Sequence, residues 1–453
     1  MKELLVMKGP GADSPDPGYP RSRQQSKALL AIIKIGHECL GKQKPAKFMD
    51  ISSHIPINLS ANEPIMYSIR KKFVERFGRE PLIVSSPARV NLIGEHTDYN
   101  EGFVLPGAVD KKMYVAIAIN DSETINAYAN EFDETFSFSV NDMKIVMQEG
   151  WASYLLGVAY FVREGGHHIR GVDVLIDGNV PVGAGMSSSA ALCSAFGFAL
   201  NTLFDCGLSR MELAYIGQKT EHKFVGVMCG IMDQFASLYG KAGNVMKLDC
   251  RSMEFEYIPF DFPDHKIVMV NSMVKHSLAG TEYNIRRLQC ELGVSIMKKY
   301  IPEAKSLRDI PFDTLMEHKD EMPEEVFTKC YFVLTENQRL LSGCKLLAAG
   351  DLTGFGKLMY ETHQGLSKLY KVSCPELDFL AENAHGFDGV TGTRMMGGGF
   401  GGCTINLVEK DRVDAFSLFI KDAYKKRFGK NTEIYITQIE DGTKLEEAVE
   451  MDK

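Results

Sequence analysis

A loop rich in glycine and serine lies between two apolar stretches of the chain. Residues 181–191, Pro-Val-Gly-Ala-Gly-Met-Ser-Ser-Ser-Ala-Ala, follow a predicted buried strand at 172–176 and lead into a predicted buried helix at 190–200. Gly183 and Gly185 permit backbone conformations that a Cβ would forbid. The start of the helix offers unpaired N–H groups and the positive end of its dipole. The loop is therefore suited to bind an anion, most often phosphate.

Three consecutive hydroxyls close this loop. Ser187, Ser188 and Ser189 could bond phosphate oxygens or a Mg²⁺ ion. A flexible linker is disfavoured, because linkers do not lie between two buried elements. A Walker loop is excluded, since no Gly-Lys pair in the chain is followed by Ser or Thr. The His-Arg-Asp and Asp-Phe-Gly motifs of protein kinases are also absent.

A second polar group follows the apolar residues 90–93. Glu95, His96 and Asp98 crowd one short segment there. A polyhydroxylated ligand needs such a group, because each sugar hydroxyl both donates and accepts hydrogen bonds. An isolated Glu-His-x-Asp is more often a solvated loop, so these three residues alone leave both interpretations open.

Two more stretches hold residues that could do chemistry. Asp233 lies among apolar neighbours, which is unusual for a carboxylate unless it is paired, although a structural cap would explain it equally well. Trp151, the only tryptophan, and Tyr154 are three residues apart and share a face of a predicted helix. Aromatic residues at that spacing belong more often to a core than to a binding site.

The elements that must position these residues follow from hydrophobic periodicity. Ser209 and Glu212 form a capping box that starts a helix carrying Glu221. An amphipathic helix is expected from Met66 to Phe77, where Gly78 ends it. Further strands are expected at 82–86, 113–119, 136–140 and 266–270, and further helices from residue 150, through 283–290 and over most of 323–384.

Taken together, these motifs resemble the galactokinase family of the GHMP kinase superfamily. The resemblance covers about residues 67–453, with the motifs in family order. It rests on Arg-Val-Asn-Leu-Ile-Gly-Glu-His-Thr-Asp-Tyr at 89–99, the glycine-serine loop, Gly-Ile-Met-Asp-Gln-Phe at 230–235 and the glycine-rich residues 392–407. The family usually has Gly where this chain has Ala88. It more often has Thr where this chain has Met396, so no polar contact is assigned to Met396.

The resemblance implies a two-domain α+β fold of the GHMP kinase type, with the active site in the cleft between domains. The expected division is a poorly ordered extension at 1–65, an N-terminal domain at 66–260 and a C-terminal domain at 261–453. The apolar residues 28–33 are too short and poorly placed for a signal peptide.

The implied chemistry is transfer of the ATP γ-phosphoryl group to the C1 hydroxyl of galactose, the first committed step of galactose breakdown. Mg²⁺ would be held by Ser189 and Glu221. Asp233 would accept or orient the hydroxyl proton, and Arg89 would keep Asp233 ionised. The implied sugar site is Glu95, His96, Asp98, Gly230 and Tyr283, and the implied ATP site is Trp151, Tyr154, Gly183, Gly185, Ser187, Ser188 and Ser189.

Bulk properties narrow the partners. A net charge of −8 argues against binding to nucleic acid or to anionic membranes. The ten cysteines show no metal-site spacing and indicate the reduced thiols of a cytoplasmic protein. No apolar run approaches the roughly 20 residues that span a membrane. The sequence contains no signal of oligomeric state, and we expect a monomer.

Three alternatives remain. One is a kinase for a related sugar such as N-acetylgalactosamine, galacturonate or arabinose. Another is a non-catalytic galactose sensor, which the intact serines, Glu221 and Asp233 disfavour. The last is a dinucleotide enzyme built on Gly397, Gly399 and Gly402, which is disfavoured because a strand rather than a helix is predicted after them.

Overall fold

The computed structural model describes residues 63–145, 150–181, 183–274 and 279–447 of the 453-residue chain. All of these belong to one compact unit. Residues 1–62, most of the predicted N-terminal extension, lie outside the described residues. The predicted domain boundary near residue 260 stays a prediction.

Helices and strands are mixed along the chain, which confirms the α+β prediction. The helices are α1 Glu63–Phe77, α2 Ala152–Glu164, α3 Ser188–Leu203, α4 Arg210–Thr220, α5 Met232–Tyr239, α6 Ala279–Met297, α7 Phe312–Glu317, α8 Glu324–Ala348, α9 Leu352–Gln364, α10 Pro375–His385 and α11 Val413–Phe428. The strands are β1 Leu82–Asn91, β2 Phe103–Val104, β3 Pro106–Ile119, β4 Thr124–Ala129, β5 Glu134–Ser139, β6 Val172–Gly178, β7 Asn244–Asp249, β8 Phe255–Pro259, β9 His265–Asn271, β10 Val390–Met395, β11 Cys403–Glu409, β12 Glu433–Thr437 and β13 Lys444–Leu445.

Several element ends follow the predicted local signals. Gly78 ends α1 with a positive φ of 69°. The capping box at the start of α4 is present, with Ser209 and Glu212 exchanging both hydrogen bonds. However, α4 ends at Thr220, and Glu221 begins a separate π-helical turn, Glu221–Val225. Such wide turns often occur at functional sites.

The strands of the described residues form three sheets. The largest has the order β13-β1-β3-β6-β4-β5, and only its β4–β6 pair is parallel. A second sheet has the order β10-β11-β9-β12, and a small third sheet has the order β2-β7-β8. Strand β1 is longer than the predicted 82–86 and runs to Asn91, which brings Arg89 into the sheet. Its register with β3 shifts between Pro87 and Arg89, which pair with Lys112 and Ala108, so Ala88 faces three residues of β3 and does not need a positive φ.

Helix α3, which follows the glycine-serine loop at 181–191 (the phosphate loop), packs in one of the two core clusters with the most buried residues. Helix α3 is apolar nearly all round, so it must be covered on most sides. Leu192 and Phe196 pack in one cluster with residues of β3 and β6. A second core cluster contains Val90, Met186 and Met396. It therefore packs together the segment before Glu95, the phosphate loop and the late glycine-rich residues. Among the described helices, none is long and apolar enough to cross a membrane.

Candidate active site

A cleft of about 340 Å³ collects most of the predicted site residues. Residues from both predicted domains line it, because Tyr283 and Gly397 reach it from the second half of the chain. The predicted residues on its walls are Arg89, Glu95, His96, Asp98, Tyr154, Gly183, Gly185, Ser187, Ser188, Ser189, Glu221, Asp233 and Tyr283. Gly230 and Trp151 are not on its walls, and their positions are described below.

The central interaction of the cleft is a two-point ion pair. Arg89 donates from Nε to Asp233 Oδ1 over 2.7 Å and from Nη2 to Oδ2 over 2.9 Å. Its Nη1 donates to the carbonyl of Gly185 over 2.7 Å, so one guanidinium ties the carboxylate to the phosphate loop. Burial opposes the charge of Arg89, but Asp233, Glu95 and Asp98 outweigh burial and raise its pKa. Asp233 therefore faces a permanent positive charge.

The phosphate loop has the backbone that its glycines predicted. Gly183 and Gly185 both have a φ of 75°, and Ser187 also lies in the left-handed region at 59°. For a serine this conformation is uncommon and is typical of functional sites. It directs the Ser187 hydroxyl to Asp233 Oδ2, with which it forms a hydrogen bond. Helix α3 begins at the next residue, so its free N–H groups face the cleft.

The late glycine-rich loop packs against the phosphate loop. A Cβ on Gly397 would lie 3.2 Å from the carbonyl oxygen of Gly185, and one on Gly402 would lie 3.5 Å from the Gly185 Cα. Gly399 is the most constrained, since its φ is 87° and a Cβ would meet the Val372 carbonyl at 2.2 Å. These glycines allow the backbone of one loop to pack directly against the backbone of the other.

Ser189 and Glu221 form a pair that also lines the cleft. Ser189 Oγ donates to Glu221 Oε1 over 2.8 Å. Burial raises the pKa of Glu221 to about 7, although the bond from Ser189 opposes the rise. A buried carboxylate with a raised pKa would gain from a cation beside it. Two oxygen donors next to a phosphate loop match the way Mg²⁺ is bound, by few protein ligands plus substrate phosphates.

One carboxylate oxygen of Glu95 is held by two hydrogen bonds, and the residue lines the cleft. Its Oε1 accepts from Arg394 Nη2 over 2.7 Å and from the Gly397 N–H over 2.8 Å. Burial alone would raise the pKa of Glu95, but the charges of Arg394 and Arg89 lower it. An ionised carboxylate with one oxygen fixed can present the other to a ligand.

His96 lies against two tyrosine rings. The centroid of its ring is 5.2 Å from that of Tyr283 and 4.8 Å from that of Tyr370. Its φ of 61° is again left-handed. Burial lowers the pKa of His96 to about 4, so the imidazole is neutral at physiological pH. Tyr283, which the resemblance placed in the sugar site, therefore lies beside His96 of the same predicted site.

Asp98 rests on Gly230. A Cβ on Gly230 would lie 2.0 Å from Asp98 Oδ2, so no side chain fits there. Asp98 Oδ1 accepts from the N–H of Tyr99 over 2.9 Å. Burial raises the pKa of Asp98 to about 7, and the negative charge of Asp233 adds to the rise. Gly230 thus contributes space for Asp98 rather than a wall of the cleft.

An apolar cavity of about 410 Å³ adjoins the phosphate loop. Trp151, Tyr154 and Leu192 line it together with Ser188 and Ser189. Trp151 directly precedes α2, and its Nε1 donates to Glu134 Oε2 over 2.8 Å. An apolar cavity that is lined by two aromatic rings and shares two serines with the phosphate loop suits a nucleotide base.

Two buried residues, Arg394 and Glu336, hold the turn at residues 92–95 and were not predicted from the sequence. Arg394 is fully buried and donates from Nε to the Leu92 carbonyl over 2.9 Å, besides its bond to Glu95. Glu336, also fully buried, accepts from the Gly94 N–H over 2.8 Å. Arg394 lies next to the late glycine loop, and its burial could not be predicted without knowing which segment faces it.

Comparison with protein-family models finds three matching regions in the chain. The galactokinase galactose-binding signature matches residues 71–119, and the N-terminal and C-terminal GHMP kinase domains match residues 153–241 and 345–426. Solved structures under 25% identical, such as a mevalonate kinase at 19% identity and a TM-score of 0.57, share the fold. The predicted GHMP kinase fold is thereby confirmed.

Relatives of higher identity are galactokinases. One from Roseiflexus sp. is 38% identical over 83% of this chain and 95% of its own length. Another from Chloroflexus aggregans is 41% identical over 80% of this chain and 93% of its own. The structure of Lactococcus lactis galactokinase complexed with galactose is 33% identical, covers 84% of this chain and 99% of its own, and has a TM-score of 0.81. On this identity and coverage, the chain belongs to the galactokinase family.

Proposed function

We propose that the protein transfers the γ-phosphoryl group of ATP to the C1 hydroxyl of galactose, giving α-galactose 1-phosphate. One observation carries the proposal: the arginine-paired Asp233 lies in one cleft with the polar trio Glu95, His96 and Asp98 and with the phosphate loop. A relative of the same family has been crystallised with galactose. A sugar and a nucleotide bound at these two positions would meet at Asp233.

Asp233 accepts the proton of the attacking hydroxyl or orients it toward the phosphorus. Arg89 faces the carboxylate with a positive charge and sets its direction through two hydrogen bonds. The Ser187 hydroxyl donates a third hydrogen bond to the Asp233 carboxylate, at Oδ2. Because phosphoryl transfer depends mainly on positioning and charge, a carboxylate fixed in this way supplies what the protein must contribute at the acceptor side.

The phosphate loop and the start of α3 hold the nucleotide phosphates. Their N–H groups need no reorganisation, since the loop already has its left-handed backbone. Ser189 and Glu221 are the residues that would hold Mg²⁺. When bound, Mg²⁺ offsets the charge on the phosphate oxygens.

The metal assignment predicts a shared defect. Ser189→Ala and Glu221→Ala should each raise the Mg²⁺ concentration needed for half-maximal rate, and the double variant should show less than the sum of both changes. Titration of the initial rate with Mg²⁺ measures this. Ser194→Ala is the matched control, because Ser194 is buried on the same helix and its Oγ has no partner among the described residues. Unchanged titrations in both single variants would remove the metal assignment.

The base site predicts a fluorescence response. Since Trp151 is the only tryptophan and lines the apolar cavity, ATP should change its emission saturably. Galactose alone should change it much less, because Trp151 does not line the cleft. Titrating each ligand at fixed protein concentration measures both. If saturating ATP leaves the emission unchanged, Trp151 is a core residue only.

The packing of Gly230 predicts a selective loss of sugar affinity. In Gly230→Ala the new methyl must displace Asp98, since it would lie 2.0 Å from Oδ2. We expect the KM for galactose to rise about tenfold or more, the cost of misplacing one buried polar partner, while the KM for ATP changes little. Gly386→Ala is the control, because a Cβ there has no neighbour closer than 3.7 Å. Equal changes in both KM values would argue against a sugar role for Asp98.

The proposal as a whole is tested by ATP consumption across a sugar panel. Galactose should be the preferred acceptor over N-acetylgalactosamine, galacturonate, arabinose and glucose. Preference for another member identifies a kinase for a related sugar, and galactose binding without ATP turnover identifies a sensor. We further propose a cytoplasmic location and a monomeric state, which fractionation and light scattering would test.

A further inference from the structure

A row of buried polar groups leads away from the cleft behind His96. His96 Nδ1 lies 2.8 Å from the hydroxyl of Tyr99, and that hydroxyl lies 2.7 Å from the hydroxyl of Tyr370. Tyr370 in turn lies 3.2 Å from the Sγ of Cys290. None of these contacts is explained by the direct sugar and phosphate interactions described above.

The row is enclosed in the protein interior. Tyr370 and Cys290 are buried in the cluster formed by α6 and α8, and Tyr99 packs against that cluster. Tyr370 ends a π-helical turn, Gly365–Tyr370, where Arg286 Nε donates to its carbonyl over 2.9 Å. The backbone at the other end is held as well, since Asn100 Nδ2 donates to the His96 carbonyl over 2.9 Å. A row so fixed has little freedom to change its hydrogen bonds.

The other ring nitrogen of His96 is left for a ligand. Nε2 is buried and has no hydrogen-bond partner of standard geometry among the described residues. The Gly398 backbone is close enough to raise the pKa of the imidazole, against the larger lowering by burial. His96 itself lines the cleft. A buried polar atom without a partner is costly, so the position is suited to an atom that a bound sugar supplies.

The direction of the row follows from the acidity of its members. A neutral imidazole has one proton, and the nitrogen without it is a strong acceptor. A phenol is a better donor than a neutral imidazole N–H, and a phenol oxygen is a weaker acceptor than an imidazole nitrogen. Tyr99 therefore donates to Nδ1, Tyr370 donates to Tyr99, and the Cys290 thiol donates to Tyr370. The two phenol hydrogens and the thiol hydrogen then each have an acceptor, while the Nε2–H of His96 is left for a ligand.

We propose that Tyr99, Tyr370 and Cys290 are positioning residues that keep the single imidazole proton of His96 on Nε2, so that His96 donates a hydrogen bond to galactose. This inference rests on the proposed function. It gives the trio distinct roles, because Glu95 supplies an acceptor and His96 a donor in fixed directions. A hydroxyl placed between them would be recognised both as an acceptor and as a donor.

Tyrosine-to-phenylalanine variants test the row by its directional order. Tyr99→Phe leaves Nδ1 without its donor, and we expect kcat/KM for galactose to fall about 5- to 100-fold with the KM for ATP unchanged. Tyr370→Phe should cost less, because Tyr99 keeps its own proton to donate. Tyr114→Phe is the matched control, since its buried hydroxyl has no partner among the described residues and it lies in a separate cluster. Equal effects of Tyr99→Phe and Tyr114→Phe would overturn the proposal.

The tautomer itself is measurable without turnover. In protein labelled with ¹⁵N-histidine, the resonance that disappears in His96→Gln should show a protonated Nε2 and an unprotonated Nδ1. Tyr99→Phe should shift this resonance toward a mixture of tautomers. A protonated Nδ1 in the parent protein would contradict the proposed direction. Because this readout does not depend on the acceptor sugar, failure of galactose phosphorylation in the parent would refute the proposed function separately.

Discussion

Replacing Asp233 by Asn should lower kcat for galactose phosphorylation by at least about 100-fold, the usual scale of lost acid–base assistance. Asparagine has nearly the same shape and can still accept from Arg89, but it cannot take a proton and has no charge to pair with the buried guanidinium. ATP binding should persist, because Asp233 does not line the apolar cavity beside the phosphate loop. Steady-state rates with saturating substrates, together with Trp151 fluorescence for ATP binding, measure the two effects separately.

A second arginine–aspartate pair provides the control for that substitution. Arg308 contacts both carboxylate oxygens of Asp249, at 3.3 and 2.9 Å, and neither residue lines the cleft. Asp249→Asn therefore removes the same charge from the same kind of pair away from the chemistry, and its kcat should stay close to that of the parent. A kcat for Asp233→Asn within threefold of the parent would exclude the proposed role of Asp233.

The local elements of the fold follow from local signals. The strand–loop–helix unit around residues 172–203 was predicted because its apolar runs and its glycines leave few alternatives, and β6 and α3 occur as expected. Strand β1 was predicted too short, since Pro87 indicates a strand end. The chain continues through it because a bulge between Pro87 and Arg89 restores the pairing with β3. The strand predicted after Gly402 occurs as β11, and it is buried on both faces up to Val408.

The candidate site, like the fold, could be predicted from local sequence patterns but not where it depends on contacts between distant residues. Residue types predicted the anion-binding loop and the polar trio, and the resemblance supplied their partners. Contacts between residues far apart in sequence were beyond any local pattern. Arg394 bonds Glu95 across 299 positions, and Tyr370 meets Tyr99 across 271. In sequence, Arg394 is an arginine in a glycine-rich segment, and only the folded structure shows that it is fully buried and paired with Glu95.

Preference among sugars should be the most sensitive test of the trio. We expect galactose to exceed glucose by about 10³ or more in kcat/KM. The two sugars differ only in the direction of one hydroxyl, at C4. The site residues cannot follow that change, because Glu95 Oε1 is held by Arg394 and Gly397 and Asp98 Oδ1 is held by the Tyr99 N–H. An epimer leaves buried polar atoms unpaired, and two such atoms at about 1–3 kcal/mol each account for the ratio.

The competition needs equal galactose, glucose and N-acetylgalactosamine in one reaction, with the phosphorylated products counted. 2-Deoxygalactose should be used better than glucose, because no comparable polar group is assigned to C2. Asp98→Ala provides the internal check: it should damage galactose turnover far more than ATP binding and should narrow the gap between galactose and glucose, since the rejecting group is gone. A product dominated by N-acetylgalactosamine 1-phosphate would mean that the protein is a kinase for N-acetylgalactosamine rather than for galactose. Equal use of galactose and glucose by the parent protein would mean that the fixed carboxylates do not contact C4.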